Sequence, residues 1–247
     1  IGSTLVDMYA KCGSLEDAHR VFKQLQNRDT VSWGAMILGY AQHDNADSAF
    51  DLFNEMLQTG IEPSTVTFSS VLKVCGNMGS IRQGMTIHNQ IVQNGSFSKK
   101  KKNISVLGNT LVYMYAKNGL VDEAKAMFKH LHNQDVDSWN VLISSFSNCR
   151  FSAEAVSCLK QMQEQGVSPD VSCWIYSIKA CCDSGFSDIG RSIHLEIVKR
   201  GLEMDPSMSR ALLDMYAMHD LFADAWKVFD NLPSRYSISW NAVISSL

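Results

Sequence analysis

Proline is scarce in this chain, four in 247 residues, and no stretch alternates apolar and polar side chains as a half-buried strand does. A sheet protein is therefore not expected. Positive charge is not in excess either: 22 Lys and Arg stand against 25 Asp and Glu, for a net charge of -3 and a pI near 6.2. That balance excludes a protein that grips nucleic acid chiefly by neutralising phosphates, so any nucleic-acid contact must be local. No segment approaches the run of about 20 apolar residues that crosses a bilayer, and no membrane partner is expected. Neither a signal peptide nor an Arg-rich transit peptide opens the chain. It starts at Ile1 in mid-pattern and stops at Leu247 inside another pattern, so the expectation is a fragment.

Motifs of chemistry are missing as well. The seven cysteines, Cys12, Cys75, Cys149, Cys158, Cys173, Cys181 and Cys182, are scattered mostly inside apolar helical patterns and read as small buried thiols of a reducing compartment. His194-Leu-Glu196 has the H-x-E form of a zinc deaminase, but no cysteine follows Cys182 to complete the metal site. The matching place earlier in the chain is His88-Asn-Gln90, which marks His194 as a repeated helical histidine. No phosphate-binding glycine loop or nucleophile motif is present. The chain is expected to carry no catalytic residue, no metal and no cofactor.

What is present is self-similarity, with 45% of residues apolar. Leu5-Val-Asp-Met-Tyr-Ala-Lys-Cys-Gly13 recurs as Leu111-Val-Tyr-Met-Tyr-Ala-Lys-Asn-Gly119 and as Leu212-Leu-Asp-Met-Tyr-Ala-Met-His219. Ser32-Trp-Gly-Ala-Met-Ile37 recurs as Ser138-Trp-Asn-Val-Leu-Ile143 and Ser239-Trp-Asn-Ala-Val-Ile244. One equivalent position falls at Ser3, Gly34, Ser69, Asn109, Asn140, Ile175, Arg210 and Asn241, in steps of 31, 35, 40, 31, 35, 35 and 31 residues. The step of 40 contains Ser98-Lys-Lys-Lys-Lys102, an insertion of about five residues that reads as a solvated loop.

Each unit divides into two amphipathic helices. Leu5, Met8 and Tyr9 mark a face of the first, which Gly13 ends; Ser14 with Asp17 resembles a capping box opening the second. Leu15, Ala18, Val21, Phe22 and Leu25 give that second helix an apolar stripe at helical spacing. Gly60, Gly95, Gly166 and Gly201 are natural terminators, with Pro63, Pro169 and Pro206 beyond three of them. The Trp and Met stripes read as core. One such hairpin cannot bury its apolar faces alone, whereas a stack of hairpins forms a continuous core.

These motifs resemble the pentatricopeptide repeat family, in particular its plant subgroup of short, standard and long units (S, P and L). The Asp-Met-Tyr-Ala-Lys-Cys-Gly run at 7 to 13 and the Ser-Trp-Asn openings carry the resemblance, and it covers nearly the whole chain. The units run S 1–29, P 30–64, L 65–104 with the Lys-rich insertion 98–102, S 105–135, P 136–170, L 171–205, S 206–236 and a partial P 237–247. The resemblance implies an all-α, right-handed solenoid of about fourteen helices, with those opening at Trp33 and Trp139 on the concave side.

The resemblance also implies a function. In such proteins two side chains per repeat read one base of single-stranded RNA. Carried over, the first base-recognition position is the series already given: Ser3, Gly34, Ser69, Asn109, Asn140, Ile175, Arg210 and Asn241. The second, last in each unit, falls at Asp29, Ser64, Ile104, Asp135, Asp170, Asp205 and Tyr236. Asn109 with Asp135 and Asn140 with Asp170 match the family's uracil pair, and Ser3 with Asp29 resembles a guanine pair; the other pairs depart from the strong ones. An Asn or Asp at such places is also a common helix cap. Base-stacking residues fall at Val31, Val66, Val106 and Ile238, while Asp137, Ser172 and Ser207 depart from that pattern. The implied function is sequence-specific RNA binding in a mitochondrion or chloroplast, with the register 5′-GNNUU-3′, to direct C-to-U editing. Editing-complex accessory proteins, or a deaminase domain in cis or in trans, are the implied partners. A protein-interaction scaffold in an organelle ribonucleoprotein or polymerase assembly, and a splicing or stability factor, are the alternatives.

Overall fold

The computed structural model describes residues 2–43, 45–94, 104–131, 133–183 and 185–231. Among these residues there are fourteen α-helices and no strand. They form consecutive hairpins: α1 (Gly2–Lys11) with α2 (Leu15–Gln24), α3 (Thr30–Gln42) with α4 (Ala46–Gln58), α5 (Thr65–Met78) with α6 (Ile81–Gln93), and α7 (Ile104–Lys117) with α8 (Val121–Lys129). Then come α9 (Val136–Asn148) with α10 (Ser152–Glu164), α11 (Val171–Ala180) with α12 (Ser187–Lys199), and α13 (Pro206–Met218) with α14 (Phe222–Asp230). The chain forms two compact units, Ile1–His132 and Asn133–Leu247.

The same packing rule holds inside each unit. Odd-numbered helices pack on one another, α1 on α3, α3 on α5 and α5 on α7 in the first unit, α9 on α11 and α11 on α13 in the second. Even-numbered helices pack on the odd helices beside them and not on each other. The odd helices are therefore the tighter layer, and α3 and α9, which carry Trp33 and Trp139, belong to it. The approach is close: a Cβ built on Gly39 of α3 would stand 2.7 Å from that of Ala10 in α1. Trp33, Trp139, Trp174, Phe22, Phe68, Phe146 and Phe229 are fully buried between hairpins. Burial of such a side chain contributes about 1.5–3 kcal/mol.

Capping separates the two layers. The helices α3, α5, α9, α11 and α13 start directly after Asp29, Ser64, Asp135, Asp170 and Asp205, and each of these caps the helix with its side chain. Most even helices are entered differently, the exception being α4, where Asn45 accepts the Ser48 N–H at 3.4 Å. Gly13, Gly79, Gly119, Arg150 and Asp220 take positive φ two residues before α2, α6, α8, α10 and α14. The next residue then has ψ near 60–70°, as Ser14 does (ψ 64), and its side chain makes no cap bond. The capping box expected at Ser14 and Asp17 is thus not formed: the tight turn aims the hydroxyl away from the helix.

Other expectations also need correction. Leu5 and Met8 are exposed in α1, while their equivalents Leu111, Met114, Leu212 and Met215 are fully buried. That face is covered by a preceding hairpin, as Met114 is by Gly84 of α6, and α1 has none before it among the described residues. Trp226 is half exposed because α14 has no following hairpin among the described residues. Met78, Met85, Met204 and Met218 are exposed too, so the methionine stripe is only partly core. Of the cysteines, Cys75, Cys158, Cys173 and Cys181 are buried, Cys149 and Cys182 half-buried and Cys12 exposed; all are free thiols. Gly95 and the insertion 98–102 lie outside the described residues.

The repeated histidines are joints between hairpins. His19 Nδ1 meets Tyr40 Oη at 3.0 Å, and His88 with Tyr115 and His194 with Tyr216 do so at 2.7 Å. Burial pulls all three imidazoles below their usual pKa. Glu196, the other half of the H-x-E pattern, bonds Lys199 at 2.7 Å on the surface.

Candidate nucleic-acid interface

Four of the five odd-helix caps are aspartates, with two carboxylate oxygens of which one takes the cap bond. Asp29 Oδ1 accepts the N–H of Ser32 at 2.8 Å, and the Ser3 hydroxyl donates to the same carboxylate at 3.2 and 3.4 Å. The bond from the Ser32 N–H, with those from the hydroxyls of Ser32 and Ser3, holds the Asp29 carboxyl below its usual range. In the second unit Asp170 Oδ1 accepts the N–H of Cys173 at 2.9 Å while Oδ2 accepts from Asn140 Nδ2 at 2.9 Å. Burial alone would raise the Asp170 carboxyl, but the donors of Cys173 and Asn140 outweigh it and lower its pKa. In these two units the first and second expected base-recognition positions, 26 and 30 residues apart, thus stand side by side as a polar neighbour and an ionised acceptor.

The other positions are arranged less uniformly. Gly34 has no side chain, and the Thr67 hydroxyl stands 3.1 Å from where its Cβ would be. Thr67 Oγ1 and Ser64 Oγ are 2.9 Å apart, and Ser64 caps α5 through the Thr67 N–H at 3.2 Å. Ser69 Oγ and Asn109 Oδ1 are buried polar atoms with no hydrogen-bond partner among the described residues. Asp135 caps α9 through the Ser138 N–H at 3.0 Å and also accepts the Ser138 hydroxyl at 2.9 Å. Asp205 caps α13 through the N–H groups of Ser207 and Met208. Ile175 is half-buried, and Arg210 is exposed and paired with Asp214 on its own helix at 3.7 Å. The side chain of Ile104, and Tyr236, Ile238 and Asn241 altogether, lie outside the described residues.

Val31, Val66 and Val106 are all more than half or about half exposed, which is unusual for valine. They flank two clefts on the odd-helix layer of the first unit. One of about 370 Å³ lies against Val31 and Val66 and is lined by Ser3, Gly34 and Ser64; the next, of about 300 Å³, lies against Val66 and Val106 and is lined by Ser69 and Lys73. In the second unit the equivalent places, Asp137, Ser172 and Ser207, are exposed and polar.

Two participants were missed by sequence reasoning. Thr67 and Cys173 are the third residues of their helices, receive the cap bond, and touch or adjoin the first base-recognition position of the preceding unit. The available signal was the small residue three places after four of the five caps, Ser32, Thr67, Ser138 and Cys173, with Met208 the exception. Burial drives the thiols of Cys75, Cys173 and Cys181 up to about 12 and that of Cys182 to about 11. No group of three or more His, Cys, Asp or Glu among the described residues is placed to hold a metal ion, and no helix among them is long and apolar enough to cross a membrane.

Comparison with known proteins agrees with this geometry. The family model described as PPR repeat family matches residues 28–77 and 134–183, and the one described as PPR repeat matches 3–29, 66–96 and 109–136. A chloroplastic pentatricopeptide repeat-containing protein of Arabidopsis thaliana is 35% identical over 99% of this chain and 39% of its own length. A mitochondrial one from the same plant is 35% identical over 100% of this chain and 38% of its own length. The chain thus spans about two fifths of those relatives. The crystal structure of the maize pentatricopeptide repeat protein PPR10 superposes with a TM-score of 0.79 at 19% identity, covering 98% of this chain and 36% of that one. PPR10 in complex with an 18-nucleotide psaJ RNA element gives 0.52 at 16% identity, covering 99% and 45%.

Proposed function

The chain belongs to the pentatricopeptide repeat family, and from that premise we propose that it binds single-stranded RNA sequence-specifically in a plant mitochondrion or chloroplast. The observation that carries the proposal is the pairing at Ser3–Asp29 and Asn140–Asp170, where a cap carboxylate holds a polar side chain at the mouth of a unit. Such a pair offers donors and acceptors to one base edge. The exposed Val31, Val66 and Val106 offer faces on which bases stack, and the clefts against them are wide enough for a nucleobase.

Ser3 and Asp29 face G, the next two units are unassigned, and Asn109/Asp135 and Asn140/Asp170 face U, which gives 5′-GNNUU-3′. The chain serves as the site-recognition part of a C-to-U editing factor, with the deamination supplied by a domain or partner outside these residues. The PPR10–RNA complex supports the RNA-binding part. Ile175 and the Arg210–Asp214 pair, which present no free base-reading group, support a second reading in which the last hairpins dock a protein. The experiment is equilibrium binding at fixed salt to short RNAs that differ only at the two uridines. Preference for U at both positions supports base reading. No RNA binding by the folded chain supports the protein scaffold.

A further inference from the structure

Resting on that RNA reading, we infer that Cys173 is a specificity-determining residue, which positions the Asn140 amide so that its unit accepts U and rejects C. It touches no base itself. Asn140 is held at both ends: Nδ2 donates to Asp170 Oδ2 at 2.9 Å, and Oδ1 accepts from the Cys173 thiol at 2.9 Å.

An amide has two faces of opposite sense, and which one a base meets depends on what else the amide bonds. Asp170 is ionised and can only accept, so the nitrogen of Asn140 must face it. The thiol is buried, stays protonated and has one proton to give. Its neighbours are Asn140 Oδ1 at 2.9 Å, the Met162 sulfur at 3.6 Å and the Asp170 carboxylate; Asp170 already takes the Cys173 N–H and the Asn140 N–H, and the amide oxygen has no other donor, so the thiol proton goes to Oδ1. Oδ1 is therefore fixed by a donor, with one lone pair left over, and Nδ2 keeps one free N–H. That pattern accepts the N3–H of uracil and donates to an adjacent carbonyl. Cytosine has an acceptor at N3 and meets Oδ1 lone pair to lone pair. An amide released from the thiol keeps its nitrogen on Asp170 but loses the fixed direction of Oδ1, which weakens the bond to the uracil N3–H and with it the rejection of cytosine.

The penultimate base is the control, because neither Cys173 nor Asp170 belongs to the pair assigned to it.

The test titrates the whole chain, by fluorescence anisotropy, with labelled RNAs containing 5′-GNNUU-3′ in which U is replaced by C at the last or the penultimate base. Cys173→Val keeps the volume without the donor, and Cys173→Ser keeps a donor; circular dichroism melts confirm that both fold. The expected result is a loss of about three- to fivefold in U-over-C preference at the last base for Cys173→Val, the scale of one weak hydrogen bond. Cys173→Ser should keep the preference, and both variants should keep that at the penultimate base. An unchanged last-base preference in Cys173→Val overturns the positioning role, as does an equal loss at both bases. Should the unsubstituted chain bind U and C equally at the last base, the base-reading proposal itself fails, a result visible without any variant.

Discussion

The two compact units run the same hairpin with different side chains. In Ile1–His132 the turn into the even helix is made by Gly13, Gly79 and Gly119, and the exposed positions at the odd-helix openings are Val31, Val66 and Val106. In Asn133–Leu247 the turn falls on Arg150, Gly185 and Asp220, and the openings on Asp137, Ser172 and Ser207. The first unit offers apolar surface on unstrained turns. The second joins Asn140 to Asp170, as the first joins Ser3 to Asp29, and two of its turns hold non-glycine residues at positive φ. On the function proposed above, grip and identity are separable properties of one backbone, stacking belonging to the Val31, Val66 and Val106 positions and base choice to the Asn140 position with its cap.

The comparison breaks most visibly if the units do not fold as local stacks. Trp174→Ala should destabilise the second unit by about 3–5 kcal/mol, the usual cost of emptying such a site. In a one-dimensional stack the damage should stay near α9–α13, so hydrogen exchange should quicken there while α3 and α5 remain protected. Uniform acceleration throughout the chain would show that the units are not separate.

Grip and identity can then be set against each other in RNA binding. Val66→Asp should weaken binding to every sequence by up to about 2 kcal/mol, since it removes one stacking face and adds a like charge. Replacing both Asn109 and Asn140 with Thr should move the preferred bases at those two positions towards G, with a mismatch scale of about 1–3 kcal/mol borrowed from DNA readout. Titrations with the U- and G-containing RNAs check both. A change of base preference in Val66→Asp would dissolve the distinction.

The His–Tyr joints occur in both units, so pH should sharpen what they share. The folded pKa values of His19, His88 and His194 lie below the ordinary 6.5, with burial the main cause. The unfolded chain therefore binds protons that the folded chain resists. Stability should be complete above pH 6.5 and fall as the pH drops through that value. Thermal melts from about pH 7.5 to about 5.5 read this directly, and His88→Gln with His194→Gln should flatten the slope. The smallest effect is in the turns. Arg150→Gly should stabilise by about 1 kcal/mol by relieving the left-handed backbone, and Gly119→Ala should destabilise by a similar amount.

Much of this was legible from the chain because a repeat states its own boundaries. The positions of Asp29, Ser64, Asp135, Asp170 and Asp205 in the spacing are where the odd helices are capped. What was not legible depends on neighbours. Leu5 and Leu111 occupy the same local pattern, yet one is exposed and the other buried, because burial comes from the hairpin before them. Ser14 looks like a cap and is not one, because its ψ is set by the turn at Gly13. Cys173 looks like one more apolar thiol until the helix is placed against Asn140.

The shared use of the cap carboxylates limits how such a chain can be rewritten. At Asp29 and Asp170 one carboxylate both holds a helix together and holds the polar side chain that the proposed reading places against a base, Asp170 with a separate oxygen for each task. The letters available at that position are then those that can also start a helix, chiefly Asp, Asn, Ser and Thr. A mutational scan that scores binding alone would misread every other residue there as a recognition failure, when part of the loss is a frayed helix. Two-axis scoring, melting temperature against base preference, would separate grammar from vocabulary.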